Sequence, residues 1–472
     1  MNNLKMLYDG RLTLPLMAKV IASVWLSVIF MLYLSPSKYF TADLLAALLL
    51  IITIGVFGLC RSGIMTAIKP LAWLSAVLLY VVVFGLSRPA LDMGPYLRGL
   101  LIGVVPYLLL YLMFRNQERS NIPLLVAGVF LIPGLVHLVF MYLDIFRSIY
   151  QGDVPIPWSS RHGLLEYIKD TPRVGRRYLS LALLHLTCAG LMMSRYFRRT
   201  STRYLAWGLS SFSVLSLFLL DARAAYVSVL IGGGLLAIAI GPSRAWQSLK
   251  SLLPTGFLGR WLLISLLVAA VGLGYSAGKS RWLSMSDSFS AAVHDVFDSK
   301  VELAQRPFVD ENYWSAPIED IDACYLERDF RCKIDQSAYL RMAWLLSGLQ
   351  GLFEHPLGIG YSEDYMARLW GVAGEKGKYQ RADSFLLELI VSFGLVGIIS
   401  YVWLVWGVLH SLRQTAQSGS RSIVLVAVCG LIFICLGRAM VDPLNDGFWR
   451  YLMALLGIYY GLLYSNKQQI RG

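Results

Sequence analysis

The stretch SFLLELIVSFGLVGIISYVWLVWGVL, residues 384–409, decides the fold class of this protein. Glu388 is its only charged residue, and its length exceeds the roughly 20 apolar residues that a helix needs to cross the ~30 Å core of a bilayer. A second apolar run, WLLISLLVAAVGLGYSA, occupies residues 261–277, and about a hundred mostly polar residues separate the two runs. The pattern predicts two membrane spans with one long polar insert between them.

The rest of the chain repeats this apolar pattern. Of its 472 residues, 57% are hydrophobic and 15% are charged, whereas a soluble protein of this length would need more charged surface. A transmembrane β-barrel is disfavoured because its strands would be about 10 residues long and would alternate apolar with polar residues. We therefore predict an all-α, polytopic membrane protein with about twelve transmembrane helices and one large loop. The twelve runs are residues 16–34, 42–60, 70–87, 98–114, 122–146, 178–194, 204–220, 224–241, 261–277, 384–409, 422–440 and 451–464.

The positions of the charges predict the orientation of these helices. With a cytoplasmic N-terminus, the inner loops contain seventeen Lys and Arg residues but only two acidic residues, Asp9 and Glu118. This bias is typical of cytoplasmic loops and accounts for the whole net charge of +13, so no nucleic-acid partner is expected. The N-terminal residues before the first run are short and polar, and we expect no cleavable signal peptide. The orientation predicts a bacterial inner-membrane protein with its insert in the periplasm.

The predicted organisation has three parts. Residues 1–277 contain nine transmembrane helices with short loops, residues 278–383 form the large periplasmic loop, and residues 384–472 contain three further helices. Within the loop, Cys324 and Cys332 are candidates for a disulfide in an oxidising compartment, and their spacing lacks the partner Cys or His residues of a zinc site.

A helix is predicted inside the insert, over QSAYLRMAWLLSGLQGLF at residues 336–353. Its spacing indicates an amphipathic helix lying against the outer membrane face or over the bundle. Pro356, Gly358 and Gly360 should end it. The predicted apolar face contains Tyr339, Met342, Ala343, Leu346, Leu349 and Phe353, and the predicted opposite face contains Ser337, Arg341 and Gly348.

Two arginines are candidates for binding an anion. Arg223, in LLDARAAYV, falls between two apolar runs with almost no loop, so its guanidinium should lie at the outer membrane boundary. Arg341 lies in the amphipathic helix between apolar neighbours. A guanidinium offers five donors in a planar fork, which suits a diphosphate. An interfacial anchor, or a pairing with Asp221, explains Arg223 as well, and a solvated helix face explains Arg341 as well.

Further candidates flank these arginines. Asp383 precedes the tenth span and could act as a general base toward a hydroxyl, or as a helix N-cap, or as both. Arg176 and Arg177 enter the sixth span from outside as interfacial anchors or substrate contacts, and His355 is a second candidate base or a helix-end residue. Tyr361 ends the HPLGIGY segment, and we group it with Arg176, Arg177 and His355 as substrate-binding candidates.

No motif for a metal or a cofactor is present in the sequence. The chain has no His-x-x-x-His, no Walker loop and no Gly-x-Gly-x-x-Gly, so we expect neither metal nor cofactor.

Three elements in order carry a resemblance to a known family. DARAAYVS contains Arg223, SAYLRMAWLLSGLQGLFEHPLGIGY contains Arg341, and DSFLLELIVSFGLVGIISY opens the next span at Asp383. Together they resemble the O-antigen ligase and O-antigen polymerase superfamily, which includes bacterial protein O-oligosaccharyltransferases. The resemblance covers about residues 176–401, and the twelve runs with one late periplasmic loop also fit it.

The resemblance implies a reaction and roles for particular residues. Members transfer a glycan from polyprenyl diphosphate to a hydroxyl in the periplasm, without metal or nucleotide. Arg223 and Arg341 match the two family arginines that hold the diphosphate. The chain departs from the family at the end of the loop, where His followed by Asn is usual and this chain has Asp383 and Ser384.

The expected function is therefore that of an O-antigen ligase using an undecaprenyl-diphosphate-linked glycan, with lipid A-core as acceptor. A pilin-type protein O-oligosaccharyltransferase, or a polymerase with a second lipid-linked glycan as acceptor, would use the same donor chemistry. A transporter of lipid-linked glycans is the alternative from another class, but it would need polar residues along a central path.

Overall fold

The computed structural model gives the positions of most residues from Ile122 onward. The described residues are 122–151, 176–196, 200–219, 223–243, 284–315, 334–362, 364–382, 384–417, 423–440 and 446–471, together with scattered positions within 68–115 and 246–272.

Long helices dominate this part of the chain. In chain order they are α1 (Ile122–Tyr150), α2 (Arg176–Tyr196), α3 (Thr200–Leu219), α4 (Arg223–Ile240), α5 (Gln336–Glu354), the short α6 (Tyr365–Leu369), α7 (Phe385–Gln417), α8 (Ile423–Ala439) and α9 (Asp446–Arg471). Among the described residues there is no strand, only an isolated antiparallel bridge between Asp310 and Lys378. The all-α prediction is confirmed.

Two of these helices are long and apolar enough to cross a membrane. The qualifying stretches are Phe130–Arg147 of α1 and Phe385–Gln414 of α7. Shorter apolar stretches occur in α2, α4 and α8. The prediction of about twelve spans stays a prediction, since the runs at 16–34 and 42–60 lie outside the described residues.

The bundle helices approach one another through small residues. A Cβ on Gly232 of α4 would lie 2.7 Å from the backbone nitrogen of Ile434, and one on Gly437 of α8 would lie 3.0 Å from Cβ of Ile231. Between α2 and α3, the Ser213 hydroxyl donates to the Leu183 carbonyl at 2.6 Å. Glycines and serines at helix crossings allow such close approach, which is the usual packing mode of helices in lipid.

The described residues form two hydrophobic cores. The bundle core joins α1, α2, α8, α9 and residues from 103–115. The insert core joins α5, α6 and residues 291–309, where a helix over residues 284–293 continues into a π-helical turn at His294–Asp298. Among the described residues of the insert, the remaining regular structure is a 3-10 turn at Leu303–Gln305 and a short helix at Asn312–Ser315.

Helix α7 is broken where the two cores meet. Gly394 has φ 57° and ψ −136°, which no helix contains and which a residue with a Cβ rarely adopts. The first half, residues 385–393, lies between the cores: Leu387 and Val391 belong to the insert core, whereas Phe385, Leu389 and Phe393 belong to the bundle core. The insert core therefore extends beyond Ala382 into α7.

The segment HPLGIGY (residues 355–361) supplies the backbone hydrogen bonds that the break removes. The Leu395 N–H donates to the Pro356 carbonyl at 2.9 Å, and the Ile359 and Gly360 N–H groups donate to Val391 and Ser392, each at 3.0 Å. The Tyr80 hydroxyl also donates to the Leu357 carbonyl. Because the freed backbone groups are paired in this way, the break is a fixed feature of the fold.

The predicted helix of the insert is α5, but its buried face differs from the prediction. The Asp335 carboxylate caps its first turn by accepting from the Ala338 N–H at 3.0 Å, and the helix ends before Pro356 as predicted. Gly348, predicted on the exposed side, packs against Leu387, whereas Leu349 and Phe353 are exposed. Tyr339 and Ala343 are buried as predicted, but the apolar pattern missed the small residues Ser347, Gly348 and Gly351, which complete the buried face.

Candidate functional site

The start of α7 and the end of α8 meet at one end of the bundle, which we call the insert end. The Ser384 hydroxyl donates to the Met440 carbonyl at 3.0 Å and accepts from the Leu387 N–H at 3.2 Å. Ser384 thus caps the first half of α7 and ties it to the last residue of the α8 segment.

The register of α4 against α8 brings the start of α4 to the same place. Gly437 contacts Ser228 and Ile231, and Gly232 contacts Ile434, so the two helices are antiparallel. Arg223, the first residue of α4, lies about 7.5 Å before Ser228 along the axis, which puts it near the level of Met440. The Arg223 side chain lies outside the described residues, so only the helix start is assigned to this end.

A buried arginine strengthens the positive charge of the insert end. Arg438, 2% exposed, donates from Nη1 to the Ser180 hydroxyl at 2.5 Å. Ser180 lies one turn into α2, so Arg176 and Arg177, whose side chains are outside the described residues, begin α2 at this same end. The starts of α2, α4 and α7 therefore meet the end of α8 there.

Arg341, on α5, also lies near the insert end. Gly348 packs on Leu387 and Val391, and the chain after α5 meets α7 at its break, so α5 and the first half of α7 point in the same direction. Arg341 lies two turns before Gly348 on the same strip of α5. It is half-buried, and this register puts it beside the start of α7.

The other two insert candidates lie at the opposite end of α5. His355 is exposed and follows the last turn of α5, which places it fourteen residues, or about 21 Å, from Arg341 along the helix axis. Tyr361 is half-buried against the bundle core beside the break. The structure therefore separates His355 and Tyr361 from the insert end, and His355 is poorly placed to act with Arg341.

Asp383 lies outside the described residues, but its two neighbours are fixed. The hydroxyl of Tyr365 accepts from the Ala382 N–H and donates to the Ala382 carbonyl, both at 3.0 Å. On the other side, Ser384 caps α7, which is one of the two roles that the sequence predicts for Asp383. Sequence reasoning missed Tyr365 and Ser384; the signal for Ser384 was its position three residues before Leu387, inside the first turn of an apolar run.

Polar side chains hold the insert together around α5. The Tyr339 hydroxyl donates to Asp295 Oδ2 at 2.6 Å, and burial, with the neighbouring Asp295 carboxylate, raises the pKa of Tyr339 far above its usual value. The Trp344 indole donates to the Phe308 carbonyl at 2.9 Å, and Lys378 forms an ion pair with Asp310 at 3.3 Å. These contacts fix α5 and hence the position of Arg341.

The described residues contain no group of three His, Cys, Asp or Glu side chains that could hold a metal ion. Cys324 and Cys332 lie outside the described residues.

Comparison with known proteins gives no assignment. No family model matches the chain, and no curated protein matches it. The function is therefore argued from the residues and their arrangement.

Proposed function

We propose that this protein is a membrane-embedded, metal-independent glycosyltransferase. In this proposal it moves a glycan from undecaprenyl diphosphate to a hydroxyl of lipid A-core, as an O-antigen ligase does, on the periplasmic side of a bacterial inner membrane. About twelve helices span the membrane, and the insert covers the outer end of the bundle.

One observation carries the proposal. Helix register brings Arg341, the helix start at Arg223 and the residues on both sides of Asp383 to the insert end, although they are far apart in sequence. The family resemblance assigns the two arginines to donor binding, and Asp383 stands where the family usually has His. A structural role for the two arginines would not require the start of α4 and Arg341 to lie at the same end of the bundle.

Helix dipoles at the insert end also favour a bound anion. α2 begins with Arg176 and Arg177 and α4 with Arg223, and neither helix has an acidic residue in its first turn. The N-terminus of a helix carries a partial positive charge, so a cation there costs about 0.3–1 kcal/mol. An anionic ligand would reverse that cost, since both the arginines and the helix N–H groups would then face negative charge.

Exposed apolar stripes support the placement in a membrane. On the second half of α7, Leu395, Ile399, Val402, Trp403 and Trp406 are exposed at spacings of three to four residues. On α1, Val139, Phe140, Leu143 and Phe146 are exposed as well. Stripes of this size are unfavourable in water and are expected where lipid is the solvent.

The chemistry then needs only groups of this chain and its two substrates. The acceptor hydroxyl oxygen attacks the anomeric carbon, the bond from that carbon to the diphosphate oxygen breaks, and Asp383 takes the hydroxyl proton. Arg223 and Arg341 stabilise the charge that develops on the leaving diphosphate, as fixed donors do for a developing oxyanion. Without a metal, the guanidinium groups must supply this stabilisation.

A deletion strain tests the proposed acceptor. We expect lipopolysaccharide without long-chain glycan, together with accumulated lipid-linked polymer, both restored by the intact gene. Lipopolysaccharide with a single repeat would instead indicate a polymerase, and normal lipopolysaccharide with unmodified pilin would indicate protein glycosylation. Normal glycoconjugates of all three kinds would contradict the proposal.

A further inference from the structure

Three apolar side chains project from the end of α5 and the loop that follows it. Leu349, Phe353 and Leu357 recur at every fourth position, and Phe353 and Leu357 are 87% and 60% exposed. The packed side of α5 is elsewhere on its surface, at Gly348 and Gly351. Phe353 therefore contributes little to the insert core, and its exposure in water would be unfavourable.

Backbone hydrogen bonds attach this patch to the second half of α7. The Pro356 carbonyl accepts from the Leu395 N–H at 2.9 Å, and the Gly358 N–H donates back to the His355 carbonyl at 2.8 Å. Leu357, between these residues, thus lies next to exposed Leu395, where the apolar stripe of α7 begins. The patch on the insert is therefore attached to α7 at the residue where the apolar stripe begins.

We propose that Leu349, Phe353 and Leu357 form a lipid anchor that inserts into the outer leaflet of the bilayer. This inference rests on the proposed placement in a membrane. The occupant is the acyl chains of membrane lipid, because the backbone beside Leu357 is hydrogen-bonded to Leu395, so lipid that covers the α7 stripe up to Leu395 extends to the level of Leu357. Glu354 and His355, both exposed beside Phe353, lie at the depth of the polar head groups.

The anchor has a mechanical consequence for the candidate site. Phe353 and Arg341 lie on the same rigid helix, twelve residues or about 18 Å apart along its axis. Holding one end of α5 in the leaflet therefore fixes the height of Arg341 above the bundle.

Photo-crosslinking of the full-length protein tests the anchor. p-Benzoylphenylalanine replaces Phe353 in one variant, Trp403 of the α7 stripe in a second and the exposed Glu375 of the insert in a third, each in vesicles of phosphatidylethanolamine and phosphatidylglycerol. We expect a mass increase of one phospholipid after illumination at positions 353 and 403, several-fold above the yield at position 375. Phe353 has little packing to lose, so the fold should tolerate the probe.

The outcomes separate the anchor from the proposed membrane placement. A lipid adduct at position 403 without one at position 353 would overturn the anchor and leave the membrane placement intact. Absence of lipid adducts at both positions would overturn both. If position 353 in intact cells crosslinks to a protein and gives no lipid adduct, the patch is a protein-docking surface and the anchor is wrong.

Discussion

The two halves of α7 begin in one apolar run of the sequence but have opposite surroundings. Residues 385–393 are packed on two sides, with Leu387 in the insert core and Leu389 in the bundle core. Residues 395–417 are packed on one side and expose Ile399 and Trp403 on the other. An apolar run therefore identifies a helix that avoids water, but it does not say whether protein or lipid replaces the water.

Gly394, which joins the two halves, is expected to be the most sensitive position. In Gly394→Ala the Cβ would lie 2.5 Å from the Gly358 nitrogen and 2.7 Å from the Leu357 carbonyl carbon, on a backbone with φ 57°. Strain and overlap should together lower the free energy of unfolding by about 3 kcal/mol. Thermal unfolding in detergent measures the loss.

The matched control for this variant is Gly233→Ala in α4. A Cβ there meets nothing within 4 Å, and alanine favours the helix, so stability should be unchanged or higher. Equal destabilisation by Gly394→Ala and Gly233→Ala would mean that the break is not a fixed feature of the fold.

The double packing of the first half predicts two different local effects. Leu387 and Leu389 are 1% and 5% exposed. Replacing either by alanine leaves a cavity and should lower the free energy of unfolding by about 2–4 kcal/mol. Hydrogen exchange should increase in the insert for Leu387→Ala and in the bundle for Leu389→Ala. Ile399→Ala, on the exposed stripe, should cost less than about 0.5 kcal/mol. Identical exchange patterns for the two leucine variants would show that the cores are not distinct.

The sequence predicts most of α7 but not its break at Gly394. The all-α class, the helix at α5 and its end before Pro356 follow from periodicity and from proline and glycine chemistry. The break at Gly394 was not predicted, because hydropathy does not depend on φ and ψ and Gly394 lies in an unbroken apolar run. The contact face of α5 was predicted only in part for a related reason. Gly348 and Gly351 allow close packing because they are small, and an apolar pattern does not register them.

The individual residues of the candidate site were predictable from the sequence, but their arrangement in space was not. The sequence predicts Arg223 and Arg341 as site residues because a charge flanked by apolar residues needs a partner. Nothing in the sequence relates their positions, since this depends on the register of α4 on α8 and of α5 on α7. The cap that Ser384 forms with Leu387 is local, but its bond to the Met440 carbonyl, a distant backbone atom, was not predictable.

The cap at the start of the first half should have a smaller effect. Ser384→Ala removes the acceptor for the Leu387 N–H and the donor to Met440, which should cost about 1 kcal/mol. Ser384→Thr keeps a hydroxyl and should lower the free energy of unfolding by only about a few tenths of a kcal/mol. Denaturation of the two variants side by side provides the test, and an equal loss in both would show that the hydroxyl is not the cause.

The smallest expected effect is a pH dependence confined to the insert. Burial alone would raise the pKa of Asp364, but hydrogen bonds to its carboxylate, including one from Arg368 Nε at 2.8 Å, outweigh burial and lower it. The Asp364–Arg368 pair should therefore add about a few tenths of a kcal/mol to the free energy of unfolding above about pH 4. This contribution is lost as the pH falls through the lowered pKa of Asp364. Asp364→Asn should flatten this part of the stability profile, and an unchanged profile would contradict the assignment.

Glycan transfer in a reconstituted system tests the proposed function most directly. Purified protein in vesicles, with undecaprenyl-diphosphate-linked glycan, lipid A-core and a metal chelator, should transfer the glycan. Arg341→Gln should lower the rate by about 10²–10³-fold, as loss of a charge-stabilising donor does. Asp383→Asn should abolish transfer, and Arg368→Gln, an exposed arginine on α6, should leave it unchanged. No transfer by the intact protein to lipid A-core, pilin or a second lipid-linked glycan would contradict the account, as would full activity in Arg341→Gln.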